Sequence, residues 1–315
     1  MRSFVPRNGQ KKSSDGGRFK PRSSSQSSSN SSSHSTQRSS HSAHNNHQSS
    51  NRQGSRQGSY GRGFGRSDDR SDEFEAGREE ADPSGERLAK SPLPNTIVLG
   101  GRFMQILTKN LTPGLTFFEQ EKLVALDDGE YREIDPRHSK LGAAIAKGCQ
   151  QFGIKNGSVV LYLGASHGYT PSFVSDMVGE QGLVLCVDVA PRVVRDLVFV
   201  CEKRSNMMPI LENASVPSAL AKRICAVDVV FQDIAQKDQV DIFLRNVDAF
   251  LQPGGFGMLA VKARSIDVLR NPHDLFREIK RRLDTTPGVT IVDYRELDPF
   301  EKDHAFFVIK KKIEE

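Results

Sequence analysis

No leucine or isoleucine occurs before Leu88 in this chain of 315 residues. Ordering the backbone costs about 1–2 kcal/mol per residue, and a segment whose one branched aliphatic residue is Val5 has no core to offset that cost. Residues 1–87 are therefore expected to form a disordered tail. Nearly all the Val, Ile, Leu and Met fall in residues 88–315, enough for one well-buried core.

Charge divides the chain at the same place. Met1 to Arg66 holds 12 Lys/Arg against Asp15 alone, and Ser67 to Arg87 holds 9 acids against 3 Arg. Those two stretches already account for the net charge of +5, so residues 88–315 are neutral and the pI near 9.0 belongs to the tail. A basic fold is excluded. A basic arm ahead of a neutral core instead suits a polyanion held through counterion release.

Within the tail, 20 of the first 60 residues are Ser, the composition of an extended, mobile chain. His34, His41, His44 and His47 lack the regular spacing of a metal tract. Residues 51–66, NRQGSRQGSYGRGFGR, interleave Arg and Gly with Tyr60 and Phe64, groups that contact phosphates and stack on bases. The pattern fits an RNA-binding arm or a solubilising linker. The acidic stretch SDDRSDEFEAGREEADP either folds back on the arm or ends it. Cys149, Cys186, Cys201 and Cys225 form no CxxC pair, so they are expected to be buried, reduced thiols and not a metal site. The chain has no apolar run of 18 residues and no hydrophobic N-terminal segment. An intracellular, soluble protein without a membrane span is expected.

From residue 155 onward, apolar runs alternate with helical patterns. Strands are expected at 158–164, 182–189, 207–212, 227–233 and 254–263, with helices near 171–179, 191–204, 216–223, 237–251 and 273–284. That alternation predicts an α/β, doubly wound parallel sheet covered on both faces. The last stretch, VTIVDYRELDPFEKDHAFFVIKK, reads as two antiparallel strands, an ending typical of Rossmann-like methyltransferases and not of dehydrogenases. Residues 88–136 are expected to be a small β-rich N-terminal subdomain, with a hairpin around Asp128 and Gly129. Residues 137–315 form the larger domain, opening on a capping helix after Pro136.

Strand one ends in LYLGASHGYT, which puts Gly164 and Gly168 at a strand-to-helix turn where a ligand can approach the backbone. The spacing is not GxGxxG. Asp188, at the end of strand two, can accept hydrogen bonds from ribose hydroxyls, which favours an adenosine-bearing cofactor over a diphosphate nucleotide. Glu212 and Asn213 end strand three and Asp233 ends strand four, at the sheet edge where open α/β folds bind ligands.

These residues resemble the fibrillarin family over nearly all of 95–315. The resemblance lies in TKNLTPG (108–114), YREIDPRHSKLGAAI (131–145), LYLGASHGYTPSFVSDMVG (161–179), FQDIAQKDQ (231–239), FLQPGGF (250–256), VKARSID (261–267) and DPFEKDHAFFVI (298–309). The arm is similar to the eukaryotic form, although family tails are denser in RGG repeats. The resemblance implies an S-adenosylmethionine-dependent methyltransferase acting on ribose 2′-hydroxyls of rRNA, guided by box C/D RNA on scaffold proteins of a ribonucleoprotein, in the nucleus and nucleolus. It implies that Gly164, Ala165, Gly168, Tyr169 and Thr170 line the methionine side of the cofactor. Asp188 and Val189 would hold the ribose, Asn213 and Ala214 the adenine, and Asp233, Ile234, Ala235 and Gln236 the region near the sulfonium. Asp188 stands where the family has Glu, Asn213 where it has Asp, and Tyr169 where it has Thr; an Asn213 oxygen still accepts from the adenine amino group.

The resemblance also implies a catalytic set of Lys140, Asp233, Lys262 and His304. A ribose hydroxyl is a poor nucleophile while protonated, so alignment and a base are needed. Lys262, desolvated beside a sulfonium and Lys140, is expected to lose its proton readily and serve as the base, with Asp233 as its partner. Lys140 and His304 would hold the hydroxyl or its phosphate. Two alternatives stay open: a subunit of the same particle with weak or no catalysis, and methylation of a histone glutamine.

Overall fold

The computed structural model describes residues 87–100 and 104–313; the tail expected over 1–87 lies, up to residue 86, outside the described residues. The N-terminal sheet comprises β1 (Arg87–Lys90), β2 (Thr96–Gly100), β3 (Gln105–Lys109), β4 (Leu123–Leu126) and β5 (Gly129–Glu133). Its order is β1-β2-β3-β5-β4, with every neighbouring pair antiparallel. The β4–β5 hairpin closes where the sequence placed it, with Leu126 opposite Gly129. β1 begins at Arg87, beside Leu88 where the leucines and isoleucines start and one residue ahead of the expected subdomain. Side chains on one face of this sheet form a small cluster of Leu99, Leu107 and Tyr131, while Ile106 joins the main core.

A short helix, α1 (Lys140–Ala146), follows, capped by the Ser139 hydroxyl, which accepts from Gly142 N at 3.3 Å. The larger domain then alternates as expected. It runs through β6 (Val159–Leu163), α2 (Tyr169–Val178), β7 (Leu183–Asp188), α3 (Pro191–Cys201), β8 (Met207–Leu211), α4 (Pro217–Leu220) and β9 (Val227–Gln232). The chain continues through α5 (Gln239–Phe250), β10 (Leu251–Lys262), α6 (Ala263–Ile266), α7 (Pro272–Thr285), β11 (Val289–Glu296) and β12 (His304–Lys311). The seven strands lie in the order β11-β12-β10-β9-β6-β7-β8. Neighbours from β10 to β8 are parallel, and β12 runs antiparallel between β10 and β11.

Strand periodicity sorts the core into two layers. On one face Val160, Tyr162, Val229, Phe231, Phe306 and Val308 pack with α1, α2 and α3. On the other, Leu161, Leu163, Val230, Phe307 and Ile309 pack with α4, α5 and α7. Three boundaries differ from expectation. β10 starts at Leu251, with a register shift before Phe256 that accommodates Pro253 and the left-handed Gly254; α4 is a single turn; and α6 was not foreseen. The cysteines also depart from expectation: Cys149 and Cys186 are buried, but Cys201 is half-buried and Cys225 exposed.

The small sheet is tied to the larger domain by a charge cluster that composition does not reveal. Asp176, on α2, accepts from Arg132 Nη1 at 2.7 Å, Arg204 Nη1 at 2.6 Å, the Thr108 hydroxyl at 3.0 Å and Leu111 N at 3.1 Å. Arg132 also pairs with Glu121, and all four ionic side chains are 0 % exposed. The Arg132 guanidinium lies 4.2 Å above the Phe173 ring, using its weakly hydrated plane as well as its charge. Burial pushes the Arg204 guanidinium below its ordinary range against the pull of Asp176.

Candidate active site

At the carboxyl ends of the central strands the chain turns sharply after β6. Gly164 has φ +85, and a Cβ there would lie 2.4 Å from the Asp233 carbonyl oxygen, so only glycine lets β6 and β9 approach this closely. Ser166 is itself left-handed, at φ 49. Its N–H donates to Asp188 Oδ2 at 2.9 Å, and Ala190 N donates to the other carboxylate oxygen at 3.0 Å. Asp188 thereby braces two loops while keeping lone pairs free for a ligand.

Two adjoining hollows open over this turn. The first, of about 220 Å³, is lined by Gly164 from the turn, Asp188 at the end of β7 and Val189 beyond it, Asn213 and Ala214 after β8, and the Asp233–Gln236 segment after β9. Twelve of the thirteen expected cofactor-side positions line this hollow or its neighbour at one sheet edge. The second, of about 310 Å³, is lined by Gly164, Ala165, Tyr169, Thr170, Lys140 and Asp233, among others. Gly164, Ser166 and Asp233 line both. Gly168 lines neither; it precedes α2 in a left-handed conformation, with Leu197 2.8 Å from where a Cβ would sit, so a side chain there would have to displace Leu197. The Asn213 carboxamide oxygen, expected to face an adenine, already accepts from Ser215 N at 2.8 Å.

The four expected reactive groups share one face of the sheet. Phe231, Phe306 and Ala260 point into the layer that contains α1, and two-residue alternation carries Asp233, His304 and Lys262 to that same side. Lys140 Nζ lies 3.1 Å from Asp233 Oδ2. Burial pulls the Lys140 ammonium down, but the carboxylates of Asp233 and Glu301 more than offset this and leave it above its ordinary value. The site therefore holds a charged ammonium there. His304 is buried and stands directly opposite Lys262 in the β10–β12 ladder. Its Nδ1–H donates to the Lys302 carbonyl at 2.7 Å, leaving Nε2 as the acceptor when the ring is neutral. Burial, with Lys140 adding to it, holds His304 below its ordinary value, although Glu301 and Asp233 act the other way.

Two expectations are corrected. Lys262 is exposed at its strand end and not desolvated, and Asp233 pairs with Lys140 in place of Lys262. A terminal strand residue keeps its long stem along the sheet and its head in water. Sequence reasoning also missed Phe118 and Gln120, which line the second hollow from the β3–β4 connection, and Tyr162, whose hydroxyl is pushed well up by burial, with Asp233 adding to it. Ser166 was detectable, since it sits between the two turn glycines; Phe118 carried no local signal.

The fibrillarin family model matches residues 96–313. A fibrillarin-like rRNA/tRNA 2′-O-methyltransferase of Thermococcus onnurineus is 46% identical over 207 residues, covering 66% of this chain and 90% of that protein. Among solved structures, Aeropyrum pernix fibrillarin in complex with natively bound S-adenosyl-L-methionine superposes with a TM-score of 0.63 at 36% identity, covering 70% of this chain and 97% of that one. A fibrillarin/Nop5p complex superposes with a TM-score of 0.62 at 31% identity, covering 71% and 100%.

Proposed function

Because the chain belongs to the fibrillarin family, we propose that it transfers the methyl group of S-adenosyl-L-methionine to ribose 2′-hydroxyls of rRNA, with box C/D guide RNA selecting the nucleotide inside a ribonucleoprotein. The observation that carries this is the meeting of the two hollows at Gly164 and Asp233, beside the Lys140–Asp233 pair. The donor set fits such a cofactor: a glycine cradle that a Cβ would fill, a braced carboxylate at Asp188, and a carboxylate at Asp233 suited to a cation. When bound, the cofactor supplies an electrophilic methyl group; the chain supplies alignment, which accounts for much of the rate in reactions of this kind.

In this scheme Asp188 holds the ribose, and Asn213 and Ala214 flank the adenine. Lys140 and Asp233 fix the reacting end, and Lys262 or the free Nε2 of His304 takes the hydroxyl proton. The solved relative bound to Nop5p supports a scaffold protein as partner. That agrees with a neutral core, since a self-sufficient RNA binder more often shows a basic face. An rRNA substrate and the arm at 51–66 favour the nucleus and nucleolus, which imaging of the tagged chain tests.

The deciding experiment is methyl transfer in vitro with reconstituted scaffold and guide. Modification of one ribose that moves when the guide changes is expected. Binding of S-adenosyl-L-methionine without transfer would leave a structural subunit instead. Single-turnover transfer by Lys262→Ala and by His304→Ala, with cofactor affinity kept in both, separates the two bases: loss of nearly all transfer in one and not in the other names the group that takes the proton.

A further inference from the structure

A second carboxylate lies behind the reactive groups. Glu301, in the turn between β11 and β12, has its backbone fixed by a hydrogen bond to Leu297 O at 3.1 Å and a side chain only 19 % exposed. Its Oε2 is 3.7 Å from His304 Nδ1, and its charge acts on the Lys140 ammonium together with that of Asp233.

The two carboxylates are not equivalent. Asp233 lines both hollows, so it must face a cationic cofactor as well as Lys140. Glu301 is absent from both linings, and its field stays with Lys140 and His304 whatever fills them. We propose that Glu301 is a positioning residue for methyl transfer, holding the Lys140 ammonium and the His304 ring in place when Asp233 is shared with the cofactor. This rests on the function proposed above. Glu301 is not a catalytic residue; it acts through Lys140, which lines the second hollow, and through His304 at the start of β12.

The groups facing His304 are Lys140 from α1, Asp233 after β9, Lys262 across the ladder, and Glu301, Lys302 and Asp303 in its own turn. Removing Glu301 takes away a negative neighbour, so the His304 proton leaves more easily. In the assembled particle at saturating cofactor, Glu301→Gln is expected to lower the single-turnover rate about tenfold, while the Kd for S-adenosyl-L-methionine stays within about twofold, since alignment and not binding is lost. The His304 ring titration, followed by NMR in the full chain, is expected to move down by about half to one pH unit. Glu301→Asp restores most of both.

A Glu301→Gln chain with wild-type transfer, or with an unmoved His304 midpoint, overturns the proposal, as does Glu301→Asp behaving like Gln. If the wild-type particle transfers nothing, the proposed function fails by itself, and the NMR midpoint still decides where Glu301 acts.

Discussion

Replacing Asp176 by Asn removes one charge from a site that water does not reach. The carboxylate takes four hydrogen bonds, two of them from guanidinium groups at 2.6 and 2.7 Å. With Asp176 neutral, two buried Arg face only Glu121, and one positive charge is left without a partner. Breaking a buried pair this way costs about 3–5 kcal/mol, more than the pair's own net worth, because the remaining charge cannot be rehydrated. Against a total stability of about 5–15 kcal/mol, that is a large fraction. In a domain of this size each kcal/mol moves Tm by about 2–4 °C, so the melt is expected to fall by roughly 6–20 °C. The assay is urea unfolding of wild type and Asp176→Asn, followed by near-UV circular dichroism, with Arg132→Met and the double variant completing a cycle. A loss below about 1 kcal/mol would show that the cluster is hydrated or redundant, and the account of how the small sheet is anchored would be wrong.

Other outcomes follow from the same geometry. Gly164→Ala puts a methyl group 2.4 Å from the Asp233 carbonyl oxygen at a φ of +85, and calorimetric titration with S-adenosyl-L-methionine is expected to show at least about tenfold weaker binding. His304 has a folded pKa below its unfolded value, so its contribution to stability is present above about pH 6.5 and is lost as pH falls through the folded value. Urea midpoints at pH 7.5 and 5 should therefore differ less in His304→Asn than in wild type.

How far the sequence could be read depended on whether its signals were local. β6, β7 and β9 are apolar runs bounded by turn residues, and they fall within a residue or two of where periodicity puts them. The terminal pair β11–β12 was visible because no helical pattern separates its halves. The carboxyl-end clusters at Gly164, Asp188, Asn213 and Asp233 were legible because an open α/β sheet brings its strand ends together. The Arg132–Asp176–Arg204 cluster was not. Its members are 44 and 28 residues apart, each resembles a solvated surface charge, and only tertiary packing makes them core. Lys262 failed for the opposite reason: an apolar strand suggested burial, and the strand ended one residue too soon for that to hold. Glu301 gave no periodic signal at all, since its meaning lies in what β12 sets beside it.

β12 occupies an interior place in the large sheet, yet every other strand of that sheet precedes it in the chain. Domains emerge from the ribosome amino end first, so the slot between β10 and β11 waits for the final segment, and His304 arrives with it. Until the slot is filled, β11 has no neighbour in the sheet and both core layers lack Phe306, Phe307, Val308 and Ile309. Any chain cut short of residue 304 would therefore lose the closure of its sheet together with its histidine.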